Sequence, residues 1–550
     1  MKNRVKALQS IEGKSFDVCV IGGGATGSGC ALDAQLRGLR TLQLEAGDFA
    51  SATSGASTKM VHGGVRYLEQ AVRGLDLAQL EVVNRALGER VRMLRNAPFL
   101  TGTMEFLTPC FRWFDAVYLE IGLKLYDWIA GRAGLAPSHF VSRAEALRRM
   151  PGLNPDHLVG AVAYTDGQFD DARYNLALVK TFTEAGGEAL NYARVTGFEK
   201  GADGKLRSAQ VEDRISHRQF LVDARAFVNA TGPWADTVRD MATPGTPRRM
   251  RLSKGVHIVL PLEILPSRDA MLIPKTEDGR VLFAIPWQGR LLVGTTDDEV
   301  SVADDLYLTK EEVEYLLRHL NRYLARPVAR EQVVSGSAGA RALVSARDAK
   351  DTRKLVRDHE VELDAASGLV SILGGKWTTY RAMAEDTVNA VQEYLGGAAT
   401  GCVTSAYPLA GSEGYTPEYW KQLMQASGIA ERTARHLADK FGARASDVMA
   451  IAQQQPELLA PLVEGLAPLR AEVVFAAREE MAASIEDVLA RRMGLELYGW
   501  KEALGAAPVV ADLLAGELGW SDSARREALD QYVGRVRQLM ERAGLVAPQN

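Results

Sequence analysis

Residues 16–45, FDVCVIGGGATGSGCALDAQLRGLRTLQLE, decide the fold. Val18 to Ile21 is a short apolar run with β-branched residues, the pattern of a buried strand. Gly22, Gly24 and Gly27 then follow in GxGxxG spacing. The first permits a tight turn, the second lets backbone approach a pyrophosphate, and the third lets a helix pack close to the strand. Residues 27–37 continue as a small-residue helix whose N-terminal N–H groups and dipole face an anion. Residues 39–44 supply a second strand. Glu45 ends it, where a carboxylate can accept bonds from a ribose hydroxyl. A bare GxGxxG also fits a plain strand-turn-helix crossover; the two strands, the helix and the terminal acid together favour dinucleotide binding.

A chain of 550 residues predicts roughly three to four domains with large cores. Its 47% hydrophobic and 24% charged residues are ordinary for a globular protein. Lysine and arginine number 65 against 69 aspartate and glutamate, a net charge of -4 without a basic run, which speaks against nucleic acid. Cys19, Cys30, Cys110 and Cys402 are too scattered for a disulfide framework or a metal motif. Residues 1–15 are polar and charged, so no secretory signal is expected and the address is cytoplasmic. No run of about 18 uncharged apolar residues occurs, which excludes a spanning helix. Residues 111–129 are the nearest to a membrane element. Phe114, Val117, Tyr118, Ile121, Leu125, Trp128 and Ile129 share one helical face, and Arg112, Asp115, Glu120, Lys124 and Asp127 take the other. The mixed signs of that polar face favour a helix packed on its own core over an interfacial one.

Residues 46–70, dense in Ser, Thr and Gly, read as a long functional loop suited to a phosphate-bearing cofactor. Leu80, Val83, Leu87, Val91 and Leu94 mark a packing helix that Pro98 ends. Residues 167–185 give another helix, followed by a strand near 190–198. Residues 227–230 form a strand leading into the turn Thr231-Gly232-Pro233-Trp234, on the edge that faces a ligand in doubly wound sheets. Residues 256–260 and 281–296 alternate as antiparallel strands, with Gln288, Gly289 and Arg290 as a hairpin turn. A last buried strand, 369–373, runs into Gly374-Gly375-Lys376-Trp377-Thr378 and a helix from 382 to 395. Residues 396–415 have linker composition. Beyond them Thr416 and Pro417 look like a helix start, and helical patterns recur to the C-terminus.

At this point the motifs match a family. VIGGGATGSGCALDAQLRGL, ATSGASTKMVHGGVRYLE, DDARYNL, NATGPWAD, KGVHIVLP, GTTD, SGLVSILGGKWTTYRAMAEDTVNA and AREEMAASIEDVLARRMGLEL make the chain resemble, over essentially its whole length, the FAD-dependent glycerol-3-phosphate dehydrogenases. The resemblance implies an α/β fold: a Rossmann-like FAD-binding domain with an inserted antiparallel-sheet substrate domain over residues 1–398, and an all-helical C-terminal domain over 408–545. It implies FAD as cofactor, oxidation of sn-glycerol 3-phosphate to dihydroxyacetone phosphate, and electrons passed to quinone. It also implies a peripheral position on the cytoplasmic face of the inner membrane. A homo-oligomer is possible. Two alternatives stay open, an oxidase of the same fold using O2 and a flavin-binding regulatory protein with a weakened substrate site.

By the same resemblance the pyrophosphate lies on Gly22, Gly24 and Gly27, and Glu45 takes the ribose. Thr53, Ser54 and Ser57 line the flavin, with Gly232 nearby. Gly375, Lys376 and Thr378 approach its pyrimidine end. Arg66, Tyr67, Arg341 and Lys376 match substrate positions, where a phosphate dianion wants arginine forks and a lysine charge. Arginine is too basic to accept the hydroxyl proton. That role falls to His257 or His62, with Arg341 stabilising the developing oxyanion. A histidine in a strand is also often purely structural. In one place the chain departs from the family pattern SGxRPL: it carries Ala338-Gly339-Ala340-Arg341-Ala342-Leu343. Without the proline, which would fix its neighbour, Arg341 is expected to be held less rigidly, and the substrate to be less certain.

Overall fold

The computed structural model describes residues 3–63, 77–302, 306–345 and 359–545. Arg66 and Tyr67 lie outside the described residues. The leading stretch folds as strand Ser15–Ile21, helix Ala25–Leu36 and strand Thr41–Leu44. Ser15–Ile21 pairs in parallel with Thr41–Leu44 on one side and with Gln219–Asn229 on the other. Leu369–Gly374 extends the parallel set beyond Gln219–Asn229. Val18, Cys19, Val20 and Ile21 are all buried, as expected of a strand covered on both faces. Ala193–Lys200 and Leu206–Asp213 add an antiparallel ribbon to the same sheet.

The turn between strand and helix is backbone packed on backbone. A Cβ on Gly27 would stand 2.1 Å from the Gly22 carbonyl oxygen, and one on Gly22 would stand 2.4 Å from that of Ala230. Gly22 also has φ +120°. Its carbonyl accepts a bond from Gln43 Nε2, and the Gly23 carbonyl accepts one from Asn175 Nδ2. The carbonyls are thereby satisfied within the protein.

The second sheet supplies the other wall. Met250–Pro261 pairs antiparallel with Arg290–Gly294 and, along its opposite edge, with Ser335–Val344. Leu282–Trp287 and Arg290–Gly294 form the expected hairpin. Gln288 and Gly289 both have positive φ, as a two-residue turn between right-twisted strands requires. Val256, Ile258, Leu291 and Val293 of this sheet share one core with Trp500, Val510 and Val536 of the C-terminal helices.

Three expectations change. The helix expected from 167 starts at Asp171, capped by the Asp170 side chain; Gly160–Phe169 is a strand paired with Thr101–Cys110, its polar residues notwithstanding. The helix expected at Thr416 begins at Tyr419. Helix Trp113–Ala130 does not pack on the core through its aromatic face. Ala116, Leu123, Tyr126 and Ala130 are the buried side, whereas Phe114 and Trp128 are 77% and 78% exposed, and Trp113, Val117 and Ile121 point outward with them. A narrow second apolar stripe, Ala116, Leu123, Tyr126 and Ala130, runs beside the charged residues, and it is this stripe that meets the core. Among the described residues no helix is long and apolar enough to cross a membrane.

Gly27→Ala should cost roughly 1–3 kcal/mol or more in chemical denaturation, because backbone has to move. Gly102→Ala, with nothing near its Cβ position, should change stability by about 0.5 kcal/mol at most.

Candidate active site

The glycine turn opens into a cavity of about 1380 Å³. That exceeds the roughly 300–1,000 Å³ of an ordinary small-molecule pocket, leaving room for a dinucleotide and a second ligand. Gly22, Gly24, Glu45, Thr53, Ser54, Ser57, Gly232, Gly375, Lys376 and Thr378 all line it, together with His62, His257 and Arg341.

At one end, the N-terminus of Ala25–Leu36 meets the cavity, with Gly24, Ala25 and Thr26 in its lining, and Gly24 at the N-cap provides no side-chain cap. A Cβ on Gly24 would fill this cradle, 2.8 Å from Ser54 Oγ. Ser54 Oγ accepts from Ala25 N at 2.9 Å, so Ser54 stands at the helix N-terminus. Glu45 Oε2 accepts from Gly23 N at 2.6 Å and Oε1 from Gly47 N at 2.7 Å. Burial raises its pKa while these two bonds oppose the rise. Each carboxylate oxygen retains a second lone pair for a ribose hydroxyl. These residues fit a dinucleotide.

The other end is assembled from distant segments. Trp377 Nε1 donates to Ser54 O at 2.9 Å, and His62 N donates to Thr378 Oγ1 at 3.3 Å, so the turn after Leu369–Gly374 grips both ends of the loop carrying Thr53, Ser54 and Ser57. Thr53 Oγ1 donates to Ala340 O at 2.6 Å, which docks the loop on Ser335–Val344. Arg341 is firmly held despite the absent proline. Its Nη1 donates to Thr296 O at 2.9 Å and its Nη2 to Thr295 Oγ1 at 2.7 Å, and Asp297 lies 3.5 Å away. The arginine side chain is tied to the 295–297 segment by the Thr295 hydroxyl, the Thr296 carbonyl and the Asp297 carboxylate.

His257 and His62 lie in electropositive surroundings. His257 is buried, with Nε2 3.0 Å from Thr58 Oγ1, and its pKa is pushed down to about 3 by burial, Arg341 and Lys59. That of His62 is pushed down to about 4 by burial, Lys376 and Arg90. Both rings are neutral at pH 7, the state a proton acceptor needs. A bound dianion would offset the cations and raise both values.

Thr58, Lys59 and Asp171 escaped the sequence reading. Lys59 forms a buried ion pair with Asp171, whose other oxygen accepts from Ser57 N at 2.9 Å, fixing the loop beneath His257. Asp171 falls in the DDARYNL stretch, the one signal that could have pointed to it.

Comparison with known proteins places the chain in a family. The family model of FAD dependent oxidoreductases matches residues 17–381, and that of the C-terminal domain of alpha-glycerophosphate oxidase matches residues 402–525. The chain belongs to the FAD-dependent glycerol-3-phosphate dehydrogenase/oxidase family. FAD is its cofactor. A probable mitochondrial glycerol-3-phosphate dehydrogenase of Caenorhabditis elegans is 40% identical over 528 residues, covering 94% of this chain and 73% of that one. The mitochondrial enzyme of Arabidopsis thaliana is 39% identical over 536 residues, covering 94% and 85%. The solved glycerol-3-phosphate dehydrogenase of Bacillus halodurans, complexed with FAD, superposes with a TM-score of 0.79 at 29% identity over 97% of both chains.

The depressed pKa of His257 predicts a pH effect with a definite sign. Stability is retained above the unfolded value near 6.5 and lost as pH falls towards about 3, because the unfolded chain binds the proton first. Between pH 7 and pH 5 the wild type should lose about 2 kcal/mol more than His257→Gln, measured by urea unfolding.

Proposed function

We propose that this chain oxidises sn-glycerol 3-phosphate to dihydroxyacetone phosphate and delivers the electrons to quinone at a membrane surface. The observation that carries the reading is a single cavity that runs from the glycine turn to a cluster of His62, His257, Arg341 and Lys376. FAD, bound along Gly22, Gly24, Gly27 and Glu45, supplies the two-electron acceptor. Arg341 and Lys376 bind the phosphate dianion, the arginine through its fork and the lysine as a point charge. One of the two neutral histidines takes the proton from the C2 hydroxyl, and Arg341 stabilises the oxygen as charge develops on it. The carbinol hydrogen leaves with its electron pair, so alcohol becomes ketone. Arg66 and Tyr67 belong to the same reading as substrate contacts. The names of the relatives in worm and plant, both glycerol-3-phosphate dehydrogenases, support the choice of substrate.

The outward aromatic face of Trp113–Ala130 supports the membrane part of the proposal. Contiguous exposed apolar surface of this kind marks an interaction site. Tyr118 and Ile121 of the same helix also line the cavity, which suits an acceptor that arrives from lipid.

In anaerobic stopped-flow experiments, replacing the histidine that acts as base by glutamine should slow flavin reduction on the order of 10²- to 10⁴-fold. Arg341→Gln should raise the apparent substrate Kd roughly 10- to 100-fold. Undiminished reduction in both His62→Gln and His257→Gln would overturn the proton-transfer assignment. In liposome flotation the wild type should rise with the vesicles. A Trp113→Ser, Phe114→Ser, Trp128→Ser variant should stay in solution while glycerol 3-phosphate still reduces its flavin; equal flotation would remove the membrane claim.

A further inference from the structure

Asp48 stands three residues after Glu45, is buried, and makes no contact that the chemistry above requires. Its charged partners come from the far end of the chain. Oδ2 accepts from Arg491 Nε at 2.6 Å and from Arg492 Nη1, and Oδ1 accepts from Arg492 Nη2 at 2.9 Å and from Asn191 Nδ2 at 3.1 Å. The two arginines are consecutive and lie in the π-helical turn Asp487–Arg492. A π turn rotates less per residue than an α turn, which brings neighbouring side chains onto one target. The arginines are themselves anchored. Arg491 Nη2 donates to Asp487 Oδ1 at 2.6 Å and Arg492 Nη2 to Glu480 O at 2.5 Å.

From Asp48 the contact leads straight to the adenosine end of the cavity. Gly47 N donates to Glu45 Oε1, and Gly47 O accepts from Tyr192 N at 2.7 Å. Tyr192 Oη in turn donates to Asp487 Oδ1 at 2.6 Å. The residues that aim Glu45 are therefore fixed from two sides by the C-terminal helices.

We infer that Arg491 and Arg492 are positioning residues for FAD: by clamping Asp48 they hold the Glu45 loop closed, and the C-terminal domain thereby controls how long the cofactor stays bound. The inference rests on the reading that Glu45 takes the ribose. Removing the clamp loosens cofactor retention and leaves the chemistry at the histidine end untouched.

The test is the rate of FAD release from the holoenzyme after dilution, followed by the return of flavin fluorescence. Asp48→Asn keeps the shape of the buried carboxylate and should speed release on the order of tenfold. Arg492→Gln should do the same and Arg492→Lys less, with turnover per bound flavin unchanged. Arg290→Gln is the control for a loosened contact with the C-terminal helices, since Arg290 pairs with Glu502 and Tyr498 O and touches neither Asp48 nor the residues that anchor Arg491 and Arg492. It should lower Tm without speeding release. Wild-type release in Asp48→Asn and Arg492→Gln, or equally fast release in Arg290→Gln, would overturn the clamp. Glu45→Gln separates the two readings. Faster release there with unchanged release in the clamp variants overturns the clamp alone; unchanged release in Glu45→Gln overturns the ribose assignment and the clamp with it.

Discussion

The first turn of Ala25–Leu36 can lie against the end of Ser15–Ile21 because Gly27 presents no side chain to the Gly22 carbonyl, and much of the molecule depends on that approach. It brings the N-terminus of the helix to the cavity and turns the glycine carbonyls inward, where Gln43 and Asn175 donate to them. A helix one methyl group farther out would lose both the anion site and its supporting bonds. The parallel strands on either side then fix where everything else can stand. Glu45 follows the end of Thr41–Leu44, Gly232 follows the end of Gln219–Asn229, and Lys376 follows the end of Leu369–Gly374, all on one edge of the sheet.

Electrostatics gives the opposite end its character. Burial first, and then the charges of Arg341 and Lys59 at His257 and of Lys376 and Arg90 at His62, hold both imidazoles in the neutral form. On the proposed reading the same positive field would attract a phosphate dianion, which on binding would move the imidazoles back towards the range where a proton acceptor is effective. Substrate binding and base strength would then be linked through the same cations.

What was legible in the sequence was local. The glycine turn, the acid after the second strand and the hairpin at Gln288 and Gly289 each follow from neighbouring residues whose φ, size or periodicity admits one solution. Gly167, Gln168 and Phe169, read as the start of a helix, are the end of the strand Gly160–Phe169, because pairing with Thr101–Cys110 overrides the local pattern. The inward side of Trp113–Ala130 was misjudged because hydrophobic periodicity weighs apolarity and ignores fit, so Ala116 and Ala130 lost to Phe114 and Trp128 in the reading and won in the packing. Long-range pairs, Lys59 with Asp171 and Asp48 with Arg491 and Arg492, are not set by neighbouring residues; the motif stretches mark some of their members without showing which residues meet. The role of Arg341 fell between: the residue was recognisable, but the threonines that hold it were not.

The central claim, that the cavity's two ends serve one redox reaction on a phosphorylated polyol, is tested most directly by the visible spectrum of the holoenzyme under anaerobic conditions. Glycerol 3-phosphate, glycerol and lactate are added in separate samples. The account predicts bleaching of the bound flavin by glycerol 3-phosphate alone, because only it carries both the dianion for Arg341 and Lys376 and the secondary hydroxyl for the histidines. Flavin that stays oxidised with glycerol 3-phosphate, or that bleaches equally with glycerol, would contradict it.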